Sequence, residues 1–143
     1  EVLVELMMAR AAERRTFGRA VIDYDSAQQA IARSRIEIEQ ARLLVLRTAE
    51  RLDGDGHQAV WRDVSMVKVA VPEMAQRIAD RAIQLFGAMG GSDDAPIHRA
   101  FAVARMLRIA DGPDEVHLRQ IFRQERPARW TVSESPYITL GDD

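Results

Sequence analysis

Apolar residues recur every three or four positions along nearly the whole chain, the spacing that lines one face of an α-helix. Val2, Leu6 and Ala9 share such a face and predict a short first helix that stops near Arg14-Arg15-Thr16-Phe17-Gly18. Asp25 or Ser26 can cap a second helix, because either side-chain oxygen accepts from an otherwise unpaired amide. From there Ile31, Ser34, Ile38, Ala41, Val45, Thr48 and Leu52 form one inward stripe, which Gly54 and Gly56 end. At about 1.5 Å per residue that helix is roughly 40 Å long, a length that suits a bundle. A third helical stretch spans residues 58–88, with Val60, Val64, Val67, Val71, Met74, Ile78, Ala82 and Leu85 facing inward. Pro72 removes a backbone donor in its middle and predicts a kink or a break.

Gly87, Gly90 and Gly91 punctuate the chain, and Asp93-Asp94-Ala95-Pro96 opens a fourth helix with proline at its first position. That helix carries Ile97, Phe101, Ala104 and Leu107. A fifth starts at Pro113, holds Val116, Leu118, Ile121 and Phe122, and ends near Arg126-Pro127. Strand signals are almost absent. The fold expected is therefore all-α, an antiparallel four-helix bundle with a short additional C-terminal helix, over residues 1–126. Residues 127–143 show no periodicity and contain Pro136, which predicts an extended or disordered tail.

Composition narrows the function classes. The 143 residues make one domain's worth of chain, with 20 basic and 22 acidic side chains and a formal charge of −2. That balance argues against a nucleic-acid binder or a polybasic membrane-surface protein. With no cysteine there is no disulfide framework, thiolate metal site or cysteine nucleophile, and the composition is compatible with the cytosol. No apolar run is long enough for a spanning helix, and no charged-then-apolar leader opens the chain, so membrane insertion is not expected. Lys68 is the sole lysine among the basic residues, and arginine suits phosphate forks better than lysine does. Glu1 lies inside a helical pattern, so the chain reads as a piece of something longer.

Three segments break the plain bundle pattern. In Glu13-Arg14-Arg15-Thr16-Phe17-Gly18, paired arginines before a hydroxyl, an aromatic ring and a glycine suit a turn that grips an anion and stacks on a ring. The same residues also describe a helix end with cations in its last turn. In Gln84-Leu85-Phe86-Gly87-Ala88-Met89-Gly90-Gly91, glycines can cap a helix or let a phosphate or sugar approach the backbone. In Arg108-Ile109-Ala110-Asp111-Gly112-Pro113-Asp114-Glu115-Val116-His117, a sharp turn sets the Asp111 carboxylate beside the unpaired amides of a helix start. These acids also complement a helix dipole. His57, His98 and His117 lie far apart with no metal-ligand spacing, and each reads as a surface or satisfied histidine.

Taken in order, the three segments resemble the C-terminal helical domain of the acyl-CoA dehydrogenases. Arg14-Arg15-Thr16-Phe17-Gly18 is similar to that family's R-x-x-F-G turn, and Gln84-x-Phe86-Gly87-Ala88-x-Gly90 to its Q-x-F-G-G-x-G segment. Ala110-Asp111-Gly112-Pro113-Asp114-Glu115 falls where the family commonly reads Tyr-Glu-Gly-Thr. The resemblance implies a flavoenzyme that binds FAD and oxidises an acyl-CoA thioester to trans-2-enoyl-CoA. A carboxylate removes the α-proton, the β-hydrogen leaves as hydride to the flavin, and electrons pass to an electron-transfer flavoprotein.

By the same resemblance Asp111 is the base, and its backbone amide is one donor to the thioester oxygen. Arg14, Thr16 and Phe17 would touch the FAD of a neighbouring subunit, and Gln84, Gly87 and Ala88 would line the adenosine diphosphate portion of that same FAD. Gly112 would lie against substrate, and Pro113, Asp114 and Glu115 against the subunit's own FAD. Sites shared across an interface imply a homodimer or homotetramer, and the setting expected is the bacterial cytoplasm.

Three residues depart from the family pattern. Asp111 replaces the usual glutamate and is one methylene shorter, Pro113 replaces a threonine and cannot donate, and Ala88 replaces a glycine. Ala-Asp-Gly-Pro-Asp-Glu-Val-His-Leu resembles one branch of the family, which includes mammalian paralogues with an aminoglycoside-phosphotransferase-like kinase ahead of the dehydrogenase. Two other functions fit the pattern: a non-catalytic helical oligomerisation module, and a nitroalkane-oxidase-like flavoenzyme, which also uses an aspartate.

Overall fold

A computed structural model describes residues 1–126. The tail expected over 127–143 lies outside the described residues. Five α-helices account for most of the rest: α1 (Val2–Glu13), α2 (Asp25–Asp55), α3 (Trp61–Phe86), α4 (Ile97–Leu107) and α5 (Asp114–Glu125). Between α1 and α2 the chain forms a two-stranded hairpin, β1 (Arg15–Thr16) and β2 (Arg19–Ala20), which the helical periodicity did not foretell.

Helix α3 is the centre, packing against each of the other four. Pairings of residues fix the directions. Glu37 meets Arg81 and Arg51 meets Asp63, so α2 and α3 are antiparallel. Ile97 packs with Phe86, Lys68 Nζ donates to the Leu107 carbonyl at 2.6 Å, and Arg62 pairs with Glu125 at 2.8 Å. Thus α4 and α5 run in the same direction along α3, one after the other, and complete the bundle. Val4 packs with Ile38 and Ile78, which seats α1 between α2 and α3. The core is built from Met7, Ala82, Phe86, Ala95 and Ile97 at one end and Val4, Ile38 and Ile78 beside them.

Several local expectations shift. Helix α3 runs through Pro72 as one element, without a break, and Pro72 is buried. A proline deletes one donor, and packing on four neighbouring helices holds the helix together across the gap. Tyr24, not Asp25 or Ser26, is the N-cap of α2, and it makes no side-chain cap bond. Pro96 and Pro113 sit one position earlier than expected, as N-caps of α4 and α5. In the first half of α3 the buried positions are Asp63, Ser65, Val69 and Pro72, while Val64 is exposed. Val45, Leu107, Val116, Leu118 and Phe122 are also exposed, because α2, α4 and α5 each turn only one face to α3.

Buried polar groups are matched by the same geometry. Ser34 and Thr48 donate back to carbonyls four residues earlier, at 2.7 and 2.8 Å. Asp63 is 1% exposed and is held by Arg51. These contacts weld the long α2–α3 pair that carries the site elements at its ends.

Candidate functional site

The first cluster grows from the end of α1. Arg14 leaves the helix with extended backbone (φ −74°, ψ 132°), and Arg15 pairs with Ala20 and Thr16 with Arg19. Only Phe17 and Gly18 remain to reverse the chain, and both take positive φ, 49° and 84°. Two left-handed residues joining two strands make the tight turn that matches strand twist. Glycine adopts that region freely; phenylalanine does so at a cost and must be held. The Tyr24 hydroxyl donates to the Thr16 carbonyl at 2.8 Å, and the Arg19 guanidinium stacks 3.6 Å over the Tyr24 ring. Arg15 Nη2 closes the loop on the Gly18 carbonyl at 3.1 Å. The outcome is a Phe17 ring that is 99% exposed at the tip of a fixed hairpin.

The second expected segment meets the first. Arg14 Nη1 donates to the Leu85 carbonyl at 3.5 Å, and it lies against Gly87, which caps α3 at φ 68°. A cavity of about 490 Å³ opens between the hairpin and the end of α3, with Arg14, Thr16, Phe17, Tyr24, Arg81 and Gln84 in its wall. Arg81 is committed to Glu37 at 2.6 and 3.0 Å. Arg14 has no carboxylate partner among the described residues. The cavity therefore offers one guanidinium without a carboxylate partner, an amide and an exposed aromatic ring, a donor set that suits a phosphate-bearing, ring-bearing ligand. Ala88 is exposed in the 3-10 turn Gly87–Gly91 that follows and is not part of that wall. Gly90 is buried, and a β-carbon there would meet the Ile83 backbone at 2.8 Å, so that turn packs tightly onto α3.

The third segment lies elsewhere, at the α4–α5 connection. Arg108 caps α4 and reaches three partners: Asp114 at 2.6 Å, Gln76 at 3.1 Å and Glu73 at 3.2 Å. The Asp114 bond, followed by the Asp114 and Glu73 charges, raises the Arg108 pKa above its ordinary value. Asp114 is buried and its carboxylate turns inward, while Glu115 and Pro113 are exposed. Asp111 and Gly112 both have positive φ, 53° and 100°. The Asp111 side chain is exposed and makes no hydrogen bond or ion pair among the described residues, and the α5 start has no side-chain cap. The Asp111 amide likewise has no backbone acceptor among them. His117 stands under this turn, Nε2 3.3 Å from the Asp111 carbonyl and Nδ1 3.4 Å from Ser65 Oγ.

So the structure joins Arg14, Thr16, Phe17, Gln84 and Gly87, and separately joins Asp111, Gly112, Pro113, Asp114 and Glu115. The first set sits by Gln84 and the second over Ser65, roughly 28 Å apart along α3 at 1.5 Å per residue. Arg108 and His117 fall inside the third segment but were given no role there, and Tyr24 was not singled out, since their partners are distant in the chain or are backbone atoms. No group of residues among those described is arranged to hold a metal ion, and no helix among them is long and apolar enough to cross a membrane.

The fold and sequence are similar to those of known proteins. The family model for the acyl-CoA dehydrogenase C-terminal domain matches residues 1–125. Acyl-CoA dehydrogenase family member 10 of Mus musculus is 46% identical over 125 residues, covering 87% of this chain and 12% of the mouse protein. A Mycobacterium abscessus structure assigned as an acyl-CoA dehydrogenase is similar with a TM-score of 0.84 at 44% identity, covering 87% of this chain and 30% of that one. The FAD complex of PigA is similar with a TM-score of 0.79 at 25% identity, covering 86% and 32%. The chain spans less than a third of each of these three proteins. Its helical bundle and its matched residues make it a member of the acyl-CoA dehydrogenase family, corresponding to the C-terminal domain.

Proposed function

We propose that the chain supplies the C-terminal domain of an FAD-dependent enzyme that oxidises an acyl-CoA thioester to its trans-2-enoyl form, with Asp111 as the base. One observation carries this reading: Asp111 presents, on a single residue, a carboxylate and an N–H that are both uncommitted among the described residues. Removing an α-proton needs a base aimed at the carbon and a donor at the thioester oxygen where negative charge develops. Asp111 is exposed at the α4–α5 connection with left-handed backbone, φ 53°. Gly112 beside it has no side chain to obstruct an approaching acyl group. Bound FAD supplies the acceptor for the β-hydride.

Arg14, Thr16, Phe17 and Gln84 fit the flavin cofactor by their chemistry: a guanidinium for a phosphate, an amide for a polar edge and a ring for stacking. Gly87 leaves room for Arg14, and Ala88 stands in the following turn, where the adenosine diphosphate portion would pass. Pro113 and Glu115 are exposed, where the subunit's own flavin would lie against them, while Asp114 fixes the turn through Arg108. The separation of the two sets along α3 supports two different flavins and hence a homodimer or homotetramer, with an electron-transfer flavoprotein as acceptor.

The test uses the whole subunit that carries this domain, loaded with FAD. Asp111→Asn should abolish bleaching of the flavin by acyl-CoA while leaving the flavin bound. Bleaching at the wild-type rate would reject Asp111 as the base. Oxygen uptake with nitroalkanes but not with acyl-CoA would move the assignment to nitroalkane oxidation.

A further inference from the structure

Asp111 has one methylene between its backbone and its carboxylate, so where the backbone stands decides where the carboxylate stands. That backbone is left-handed, a region non-glycine residues occupy only when their surroundings hold them there. Helix α5 provides the side-chain contact to it. His117 Nε2 lies 3.3 Å from the Asp111 carbonyl oxygen, and the ring is backed by Ser65 Oγ at 3.4 Å from Nδ1.

The chemistry of these atoms orders the chain of bonds. A carbonyl only accepts, so Nε2 carries the proton and donates to Asp111. In the neutral ring Nδ1 then accepts from the Ser65 hydroxyl. Ser65 is 2% exposed and sits on the central helix α3, which makes it an immobile anchor. The ring also fills the space beneath Gly112, where an added β-carbon would fall 3.1 Å from Nε2. Helix α3, through Ser65, thus sets the ring on α5, and the ring sets the turn that carries Asp111.

We propose that His117, backed by Ser65, is a positioning residue for Asp111, holding its carboxylate and its N–H in place together. The assignment rests on Asp111 being the base. A displacement of about 1 Å costs such a reaction up to on the order of 100-fold in rate, and binding of the remote parts of a substrate is untouched by it.

The experiment uses the whole FAD-loaded subunit and four variants: His117→Leu, His117→Gln, Ser65→Ala and Asp111→Asn. His117→Leu should lower kcat for acyl-CoA about 10- to 100-fold with KM within about twofold and flavin content unchanged. His117→Gln, which keeps a donor near the Nε2 position, should recover most of that loss, and Ser65→Ala should show a smaller loss of the same kind. A crystal structure of the His117→Leu protein should show Asp111 out of its left-handed conformation. Wild-type kcat in His117→Leu, or failure of Gln to rescue, overturns the proposal, as does an unmoved Asp111 backbone. Where His117→Leu does not fold, an unchanged kcat in Ser65→Ala overturns it. An active Asp111→Asn removes the base assignment itself, whereas an inactive Asp111→Asn beside an active His117→Leu removes only His117.

Discussion

The Arg14 guanidinium rests against the bare α-carbon of Gly87: a β-carbon built there would lie 3.3 Å from Nη1. Gly87 also has φ 68° with ψ −142°, a conformation nearly reserved for glycine. Gly87→Ala should therefore cost about 1–3 kcal/mol and push Arg14 out of the cavity wall. A lowered melting temperature together with weakened flavin retention in the whole subunit is the expected pair of results.

Gly112→Ala should act differently. Its φ of 100° and the nearby His117 ring both oppose a side chain, so the turn must move. Stability should fall by about 1–2 kcal/mol, and turnover of acyl-CoA should fall while flavin content stays at the wild-type level. Steady-state kinetics with absorbance of bound flavin separates the two effects.

Asp114→Ala removes the main partner of Arg108. Asp114 is buried while Arg108 is partly exposed, and Arg108 would keep Gln76 and Glu73. A loss of about 1–2 kcal/mol is expected, well below the penalty of breaking a completely buried pair, because Arg108 stays partly solvated and keeps Glu73. Chemical denaturation of wild type and variant measures it.

The Glu37–Arg81 pair sets a pH dependence. Hydrogen bonds from Arg81 hold the Glu37 pKa below its ordinary value of 4.5. The unfolded chain therefore takes up this proton first as pH falls, so the pair's contribution is complete above 4.5 and is lost as pH drops through the lower folded value. Glu37→Gln should be about 1 kcal/mol less stable than wild type at pH 7. That gap should close in melting curves recorded below pH 4.5.

Helix existence was legible because packing and local periodicity agree: Ser34, Ile38, Ala41 and Thr48 are buried as their spacing predicts. The α3 stripe was misread where polar residues are buried. Asp63 and Ser65 look like surface positions until Arg51 and His117, 12 and 52 residues away, supply their partners. Pro72 failed as a punctuation mark because tertiary contacts outweigh one missing bond. The Phe17-Gly18 turn was found as a segment, yet its strand pairing was not, since two residues per strand carry no alternation. Asp111 stood out by its neighbours Gly112 and Pro113, whereas His117 read as a surface or satisfied histidine because its partners, Ser65 and the Asp111 carbonyl, are brought to it only by the fold.

The hairpin at Phe17 bears on affinity. A loop that folds only around its ligand subtracts its ordering entropy from the binding free energy, about 1–2 kcal/mol for each backbone residue fixed. Here Tyr24, through the Thr16 carbonyl and the Arg19 guanidinium, has already frozen the tip in the free chain. A partner or cofactor that meets Phe17 meets a rigid probe, and the contact energy it gains is not spent on ordering the turn. Tyr24, by fixing the turn as well as lining the cavity, would thus govern how tightly one is held.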